Sequence, residues 1–285
     1  MIDVRIGVIG GSGIYSIEGL KIIEKRKIKT PFGDPSDTIM IGCFENSIPI
    51  AFLPRHGRGH RILPSEVNSR ANIWALKSLG IKQIVAMSAV GSLKKEIKPK
   101  DIVIPSQLID RTKNRPSTFF GNGIVGHIQF GEPFCKNLSS FLYEKIKEKG
   151  WEVHKDETYV CMEGPAFSTK AESNLYRSWN CGVIGMTALP EAKLSREAEI
   201  CYAIVAFATD YDCWYEEEVS VEMVVSNFNA NINKAKTIIK EILPLLPDEP
   251  SCKCRFAASG AIMTAKDRIP ASQKKKLKIL YGKYF

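Results

Sequence analysis

Five polar clusters in this chain have the residue types of ligand-handling sites. Asp210-Tyr211-Asp212 follows the apolar run Cys201–Ala208. Side chains two apart in extended backbone face the same way, so both carboxyls can meet one ligand. Neighbouring carboxyls also raise each other's pKa, which lets one hold a proton near neutrality. A polar turn capped by Asp is the plain alternative, and an isolated Asp-x-Asp favours it. A magnesium site would need a third carboxylate, and none is placed to complete one. Arg55-His56-Gly57-Arg58-Gly59-His60 sets cationic and titratable donors beside glycines, a composition suited to phosphate, or else a solvated basic loop. Gly10-Gly11-Ser12-Gly13 can aim backbone N–H groups and a hydroxyl at an anion. Ser88-Ala89-Val90-Gly91-Ser92 and Met186-Thr187 supply small residues and hydroxyls at two further strand ends.

Elements that would position these clusters can be read from periodicity. Apolar runs at Val4–Ile9, Leu20–Lys29, Thr38–Phe44, Ile48–Leu53, Ile84–Ala89, Asp101–Ile104, Thr158–Met162, Gly182–Met186 and Cys201–Thr209 predict strands. Helical spacing predicts helices over Glu66–Leu79, Pro133–Lys149, Lys170–Trp179 and Leu189–Glu197, and a last core helix from an N-cap at Ser220 towards Leu243. Residues 105–132 show no periodicity, and a loop of that length in a compact domain tends to be functional. Alternating strands and helices give an α/β class with a parallel or mixed sheet. Residues 1–247 read as one domain, and 248–285 as an extension packed on it. In a helix starting near Pro270, Ile269, Leu277, Leu280, Tyr281 and Tyr284 form one stripe, so the extension should lie on a surface and is a candidate cover for the active-site mouth.

With 285 residues, 44% of them hydrophobic, the chain can bury a large core. Its net charge of +9 is concentrated at the end: residues 266–285 carry seven Lys/Arg against one Asp. That pattern fits a solvated helix face or a subunit contact better than a nucleic-acid surface. No run is apolar enough for a membrane span and no signal peptide is evident, so a cytoplasmic setting is expected. Eight cysteines should then be reduced and mostly buried. Cys252-Lys253-Cys254 stands apart in a polar segment; a zinc site would need a second pair at suitable spacing, which the sequence does not offer, and a disulfide stays open. Gly11-Ser12-Gly13 lacks the third glycine of a nicotinamide-binding fingerprint.

Together the motifs resemble the methylthioadenosine phosphorylases. The resemblance rests on Gly10-Gly11-Ser12-Gly13, Thr30-Pro31-Phe32-Gly33, Pro35-Ser36-Asp37, Arg55-His56-Gly57-Arg58 and Asn72-Ile73-Trp74-Ala75-Leu76-Lys77. Gly91-Ser92-Leu93, Asp110-Arg111-Thr112, Glu163-Gly164-Pro165, Phe167-Ser168, Met186-Thr187 and Ala208 through Trp214 continue it in order, and only the segment after Pro247 has no counterpart. It implies the trimeric branch of the purine nucleoside phosphorylase fold, a barrel-like mixed sheet flanked by helices, in a homotrimer or dimer of trimers. It also implies phosphorolysis of 5′-methylthioadenosine to adenine and methylthioribose 1-phosphate, a step of purine and methionine salvage. Inorganic phosphate is the co-substrate, with no metal or organic cofactor.

By that resemblance, phosphate meets Ser12, Arg55, His56, Ser88, Ala89 and Thr187. Met186 touches ribose, Phe167 lies on the purine, and Ser168, Asp210 and Asp212 face its polar edge. His127 is the residue lent to a neighbouring subunit's 5′ pocket, and Val221 shapes space for the methylthio group. A 6-amino group is a donor and wants carboxylate acceptors, so the Asp pair favours adenine over hypoxanthine or guanine. A protonated Asp210 would serve as the catalytic acid. A broader nucleoside phosphorylase accepting adenosine, inosine or guanosine is the main alternative; a nicotinamide-dependent oxidoreductase and a nucleic-acid-binding module are the other two.

Overall fold

Runs of β-branched and apolar residues bounded by turn formers become strands, and amphipathic stretches between them become covering helices. The computed structural model describes residues 2–11, 17–45, 47–215 and 221–285, with backbone alone for 221–225 and 228. Eleven described strands form one mixed sheet: β1 (Ile6–Gly10), β2 (Lys21–Arg26), β3 (Ile39–Cys43), β4 (Ile50–Pro54), β5 (Gln83–Ser92), β6 (Ile102–Ile104), β7 (Gln107–Arg111), β8 (Val153–Lys155), β9 (Thr158–Met162), β10 (Val183–Gly185) and β11 (Cys201–Tyr211). The helices are α1 (Ser69–Ser78), α2 (Lys136–Lys147), α3 (Lys170–Ser178), α4 (Ala188–Glu197), α5 (Val221–Thr237), α6 (Ala271–Lys276) and α7 (Lys278–Tyr281).

Strand β5 is the hub. It pairs in parallel with β1 over its first residues, in parallel with β11 along its whole length, and antiparallel with β10 at Gly91 and Ser92. From β11 the pairing continues through β6 to β8, and from β10 through β9 to β7. Two residues separate β8 from β9, and two separate β6 from β7, so each couple is one bent run and the sheet curls back towards β5. Asp156, at φ 62°, marks one of the bends. This is the expected barrel-like sheet, with α1, α2, α4 and α5 packed on it. No described helix is long and apolar enough to cross a membrane.

Three expectations are revised. Residues 105–132 are not all loop, because Gln107–Arg111 pairs with β9 at the sheet margin; its side chains are largely exposed, so it carries no apolar alternation. The helix expected from Glu66 begins at Ser69, because the Asn68 side chain caps it by accepting from the Ala71 N–H. The last segment forms α6 and α7, and its apolar stripe is buried, but no residue after Ala235 lines the large cavity described below. Instead Tyr281 stacks on Phe120, and its hydroxyl donates to Glu197. Segment 261–264 bonds to Val125 and His127 of the long loop. The Ser220 cap lies outside the described residues.

Candidate active site

Carboxyl ends of several strands open into one cavity of about 410 Å³. Gly11, following β1, Arg55 and His56, following β4, the end of β5, Met186 and Thr187, following β10, and the end of β11 all reach it. This is where open α/β sheets place their ligands. Ala89 is exposed in the middle of an otherwise buried strand because it faces this space.

At one end of the cavity are Arg55, His56, Ser88, Ala89 and Thr187. Arg55 is 3% exposed and forms a bidentate pair with Glu191, Nε to Oε1 at 2.5 Å and Nη2 to Oε2 at 3.1 Å. Its Nη1 donates to the Met87 carbonyl at 3.0 Å, leaving two of its five N–H groups for a ligand. Tyr202 donates to Glu191 Oε2 at 3.0 Å, so the acid is itself held. Glu191 is a site-building residue that no local sequence signal revealed; only the need of a buried Arg for a partner pointed to it.

The sequence grouped His56 with cationic donors, and here the structure differs. Burial, together with the adjacent Arg55 charge, pulls its pKa down to about 4. Its Nδ1 lies 2.9 Å from the Ile62 carbonyl, so the neutral ring carries its proton there and offers Nε2 as an acceptor. Ser88 Oγ is 2.9 Å from Thr187 Oγ1 and 3.2 Å from the Tyr159 hydroxyl, a cluster that fixes both hydroxyls across β5 and β10. Burial pushes Tyr159 up to about 12, so it stays protonated. Gly185 is required beside it, since a Cβ there would fall 2.1 Å from the Tyr159 hydroxyl.

At the other end lie the two carboxyls. Between Ala208 and Asp210 the β11 register slips against β5, so Thr209 is an extra, bulged residue. Bulges re-aim side chains beside active sites, and this one turns Asp210 and Asp212 to the cavity. Asn227 and Asn231 of α5 hold it by donating to the Thr209 and Ala208 carbonyls at 3.0 and 2.9 Å. Gly91 makes room, because a Cβ there would sit 3.3 Å from both Asp210 Oδ1 and Asp212 Cβ.

Burial raises the pKa of Asp210, with Asp212 adding to it and the Thr209 hydroxyl, 2.6 Å from Oδ2, opposing. Burial likewise raises Asp212, against the Ser173 hydroxyl. Asp212 Oδ2 is buried with no hydrogen-bond partner among the described residues. An unpartnered buried acceptor on a cavity wall is what a donor on a ligand would satisfy.

Other expected residues divide. Phe167, 82% exposed, and Met186 stand on the cavity wall. Ser168 does not; its hydroxyl donates to Met162 Sδ at 3.8 Å, and its carbonyl accepts from the Cys213 thiol. His127 is exposed and away from this cavity, its N–H donating to Ala261 O at 2.9 Å. Ser12 lies outside the described residues, as does the Val221 side chain. Arg115, which the sequence did not single out, is 8% exposed and donates to the Met186, Leu189 and Glu163 carbonyls, clamping the wall near Met186.

Comparisons with known proteins identify the family. The phosphorylase superfamily model matches residues 5–244. An S-methyl-5′-thioadenosine phosphorylase of Geobacter sulfurreducens is 53% identical over 282 residues, covering 98% of each chain. The crystal structure of a methylthioadenosine phosphorylase from an Antarctic soil metagenomic library superposes with a TM-score of 0.94 at 44% identity, covering 98% of this chain and 99% of that one. A mutant of the adenosine/methylthioadenosine phosphorylase of Schistosoma mansoni, in complex with methylthioadenosine, gives 0.84 at 36% identity over 93% and 99%. The chain therefore belongs to the phosphorylase superfamily, and within it to the S-methyl-5′-thioadenosine phosphorylases.

Proposed function

We infer that the chain cleaves 5′-methylthioadenosine with inorganic phosphate, giving adenine and 5-methylthioribose 1-phosphate. The observation that carries this reading is the buried Asp212 Oδ2, without a hydrogen-bond partner among the described residues, beside a carboxyl whose pKa burial raises, in one cavity with Arg55, Ser88 and Thr187. Its relatives' names supply the substrate class.

In this reading phosphate takes the two free N–H groups of Arg55 and the Ser88 and Thr187 hydroxyls, with backbone donors near Ala89 and the Ser12 hydroxyl completing the seat. Neutral His56 accepts the proton of a P–O–H group through Nε2. Phe167 covers the purine, Met186 touches ribose, and Asp212 Oδ2 accepts from the 6-amino group; Ser168 supports that edge from behind Met162. As the bond from ribose C1′ to purine N9 breaks, positive charge builds on the sugar and negative charge on the base. Phosphate stabilises the first and then forms the new C1′–O bond. Protonated Asp210 gives its proton to purine N7, which removes the second. Written this way, the reaction uses no metal or organic cofactor.

His127, exposed and fixed by segment 261–264, would enter the 5′ pocket of a neighbouring subunit, with Val221 beside the methylthio group. That requires the homotrimer or dimer of trimers implied by the family. A cytoplasmic setting belongs to the same reading. A second reading, in which adenosine is also accepted, is favoured by the name of the Schistosoma relative. Incubation with methylthioadenosine, adenosine, inosine and guanosine, each with and without phosphate, tests both. Free base only with phosphate, and 6-amino substrates first, is expected; base release without phosphate, or inosine leading, would overturn the assignment.

A further inference from the structure

Four cysteines that the reaction does not use meet at the opposite end of the sheet. Cys135 is the N-cap of α2, Cys201 is the first residue of β11, and Cys252 and Cys254 flank Lys253 in the terminal extension. Their four sulfurs all lie within 4.8 Å of one another, with Cys201 and Cys252 at 3.1 Å. Three of the residues are buried and Cys252 is half-buried. The cluster is remote from the cavity: Asp210 lies nine residue steps along β11 from Cys201, roughly 30 Å at strand rise.

The sequence showed only the Cys252-Cys254 pair, and the second pair was invisible because α2 and β11 deliver it from unrelated stretches of chain. The core half is held rigidly. The Cys135 N–H donates to the Tyr202 carbonyl at 2.8 Å, and the Cys201 N–H to the Lys82 carbonyl at 3.0 Å. The extension's half is brought alongside by Asn137, whose side chain donates to Ser251 Oγ at 3.1 Å.

We propose that Cys135, Cys201, Cys252 and Cys254 bind one zinc ion as a tetrathiolate that fastens the terminal extension to the core. A zinc–sulfur bond of about 2.3 Å in a tetrahedron sets the sulfurs about 3.8 Å apart, and small side-chain rotations bring this cluster to that spacing. A set of four soft sulfur donors selects zinc over magnesium or calcium. Two groups offset its excess negative charge. Arg196 Nη1 lies 3.3 Å from the Cys254 sulfur, and Cys135 stands at the N-terminus of α2, whose dipole favours a thiolate. The ion would contribute directly to folding, since the donors come from segments that otherwise part on unfolding. Through segment 261–264 the same staple steadies the loop that carries His127.

The test is metal analysis of the full-length protein purified under reducing conditions, with a thiol-modifying mercurial added to release bound ions. One zinc per subunit, freed by the mercurial, is expected. Replacing zinc with cobalt should give the intense visible bands of a tetrahedral thiolate centre. Cys252→Ser should reduce metal content severalfold or more and lower the melting temperature, whereas Cys43→Ser, outside the cluster, should keep its zinc. Because the unsubstituted protein is analysed first, a variant that fails to fold leaves the test intact. Metal-free protein that, when prepared without reductant, has a mass lacking one hydrogen for each of the four thiols would overturn the proposal in favour of two disulfides. Four free thiols that take up no zinc when it is supplied would overturn it outright.

Discussion

Replacing Asp212 by Asn tests the base-recognition argument where it is most exposed. In the parent, Oδ2 is a buried acceptor without a partner among the described residues, on a carboxyl whose pKa burial raises. A 6-amino base satisfies it, whereas a 6-oxo base sets one acceptor against another. Leaving a buried polar group unpaired costs roughly 1–3 kcal/mol, which at about 1.4 kcal/mol per tenfold is roughly 5- to 150-fold in kcat/KM. An amide carries an acceptor and a donor and can turn either towards the base. Asp212→Asn should therefore shrink the adenosine-over-inosine ratio by most of that factor, mainly by improving inosine. The two nucleosides differ at the purine 6-position, so steady-state phosphorolysis of the pair isolates the effect. Stability gives a second reading with a defined sign. A carboxyl whose folded pKa is raised stabilises the fold below its unfolded pKa and loses that contribution as pH rises through the folded value. Asn removes that loss, so the variant should melt no lower than the parent at neutral pH. An unchanged adenosine-to-inosine ratio in a folded variant would refute the assignment of this carboxyl to the 6-position.

Asp210→Asn should lower turnover by roughly 10²- to 10⁴-fold, the range for losing a general acid, and equal turnover in stopped assays would reject the role. In the parent, kcat should fall as pH rises through the elevated Asp210 pKa, a limb that Asp210→Asn should lack in a pH–rate profile. Glu191→Ala strands the buried Arg55 charge and leaves Tyr202 without its acceptor, costing roughly 3–5 kcal/mol. For a chain of this length that is a fall in melting temperature of about 5–8 °C, measurable by calorimetry. His56 has a folded pKa depressed to about 4, so its contribution to stability is present above the unfolded value near 6.5 and is lost as pH falls towards 4. Chemical denaturation across that window should show a smaller loss in His56→Asn than in the parent.

Much of this architecture is legible in the linear chain because burial on both faces leaves apolar runs that end in glycines and hydroxyls. β1, β4, β5, β10 and β11 follow from such runs, and Arg55, Ser88, Thr187, Asp210 and Asp212 stand just past or near their ends. What stayed hidden depends on pairing between distant segments. The Thr209 bulge exists only relative to the β5 register, so no local pattern announces it. Gln107–Arg111 is strand because β9 offers it a partner, although most of its side chains face solvent and only Leu108 and Ile109 are half-buried. Glu191 reads locally as an ordinary acid near a helix start, and its importance comes from an Arg 136 residues away. The neutrality of His56 follows from burial against Arg55, which residue type alone does not disclose. Likewise, the apolar stripe of the last helices foretold a buried face but not that it would pack on Phe120 and Glu197 rather than over the cavity.

The most direct test of the whole account uses radiolabelled phosphate. Methylthioadenosine is incubated with the protein in its presence, and both products are separated and counted. Adenine and a sugar phosphate in equal amounts, with one labelled phosphorus per adenine released, is the predicted result. Adenine accompanied by unlabelled free methylthioribose would contradict it, because water rather than the anion seated by Arg55, Ser88 and Thr187 would then be the nucleophile.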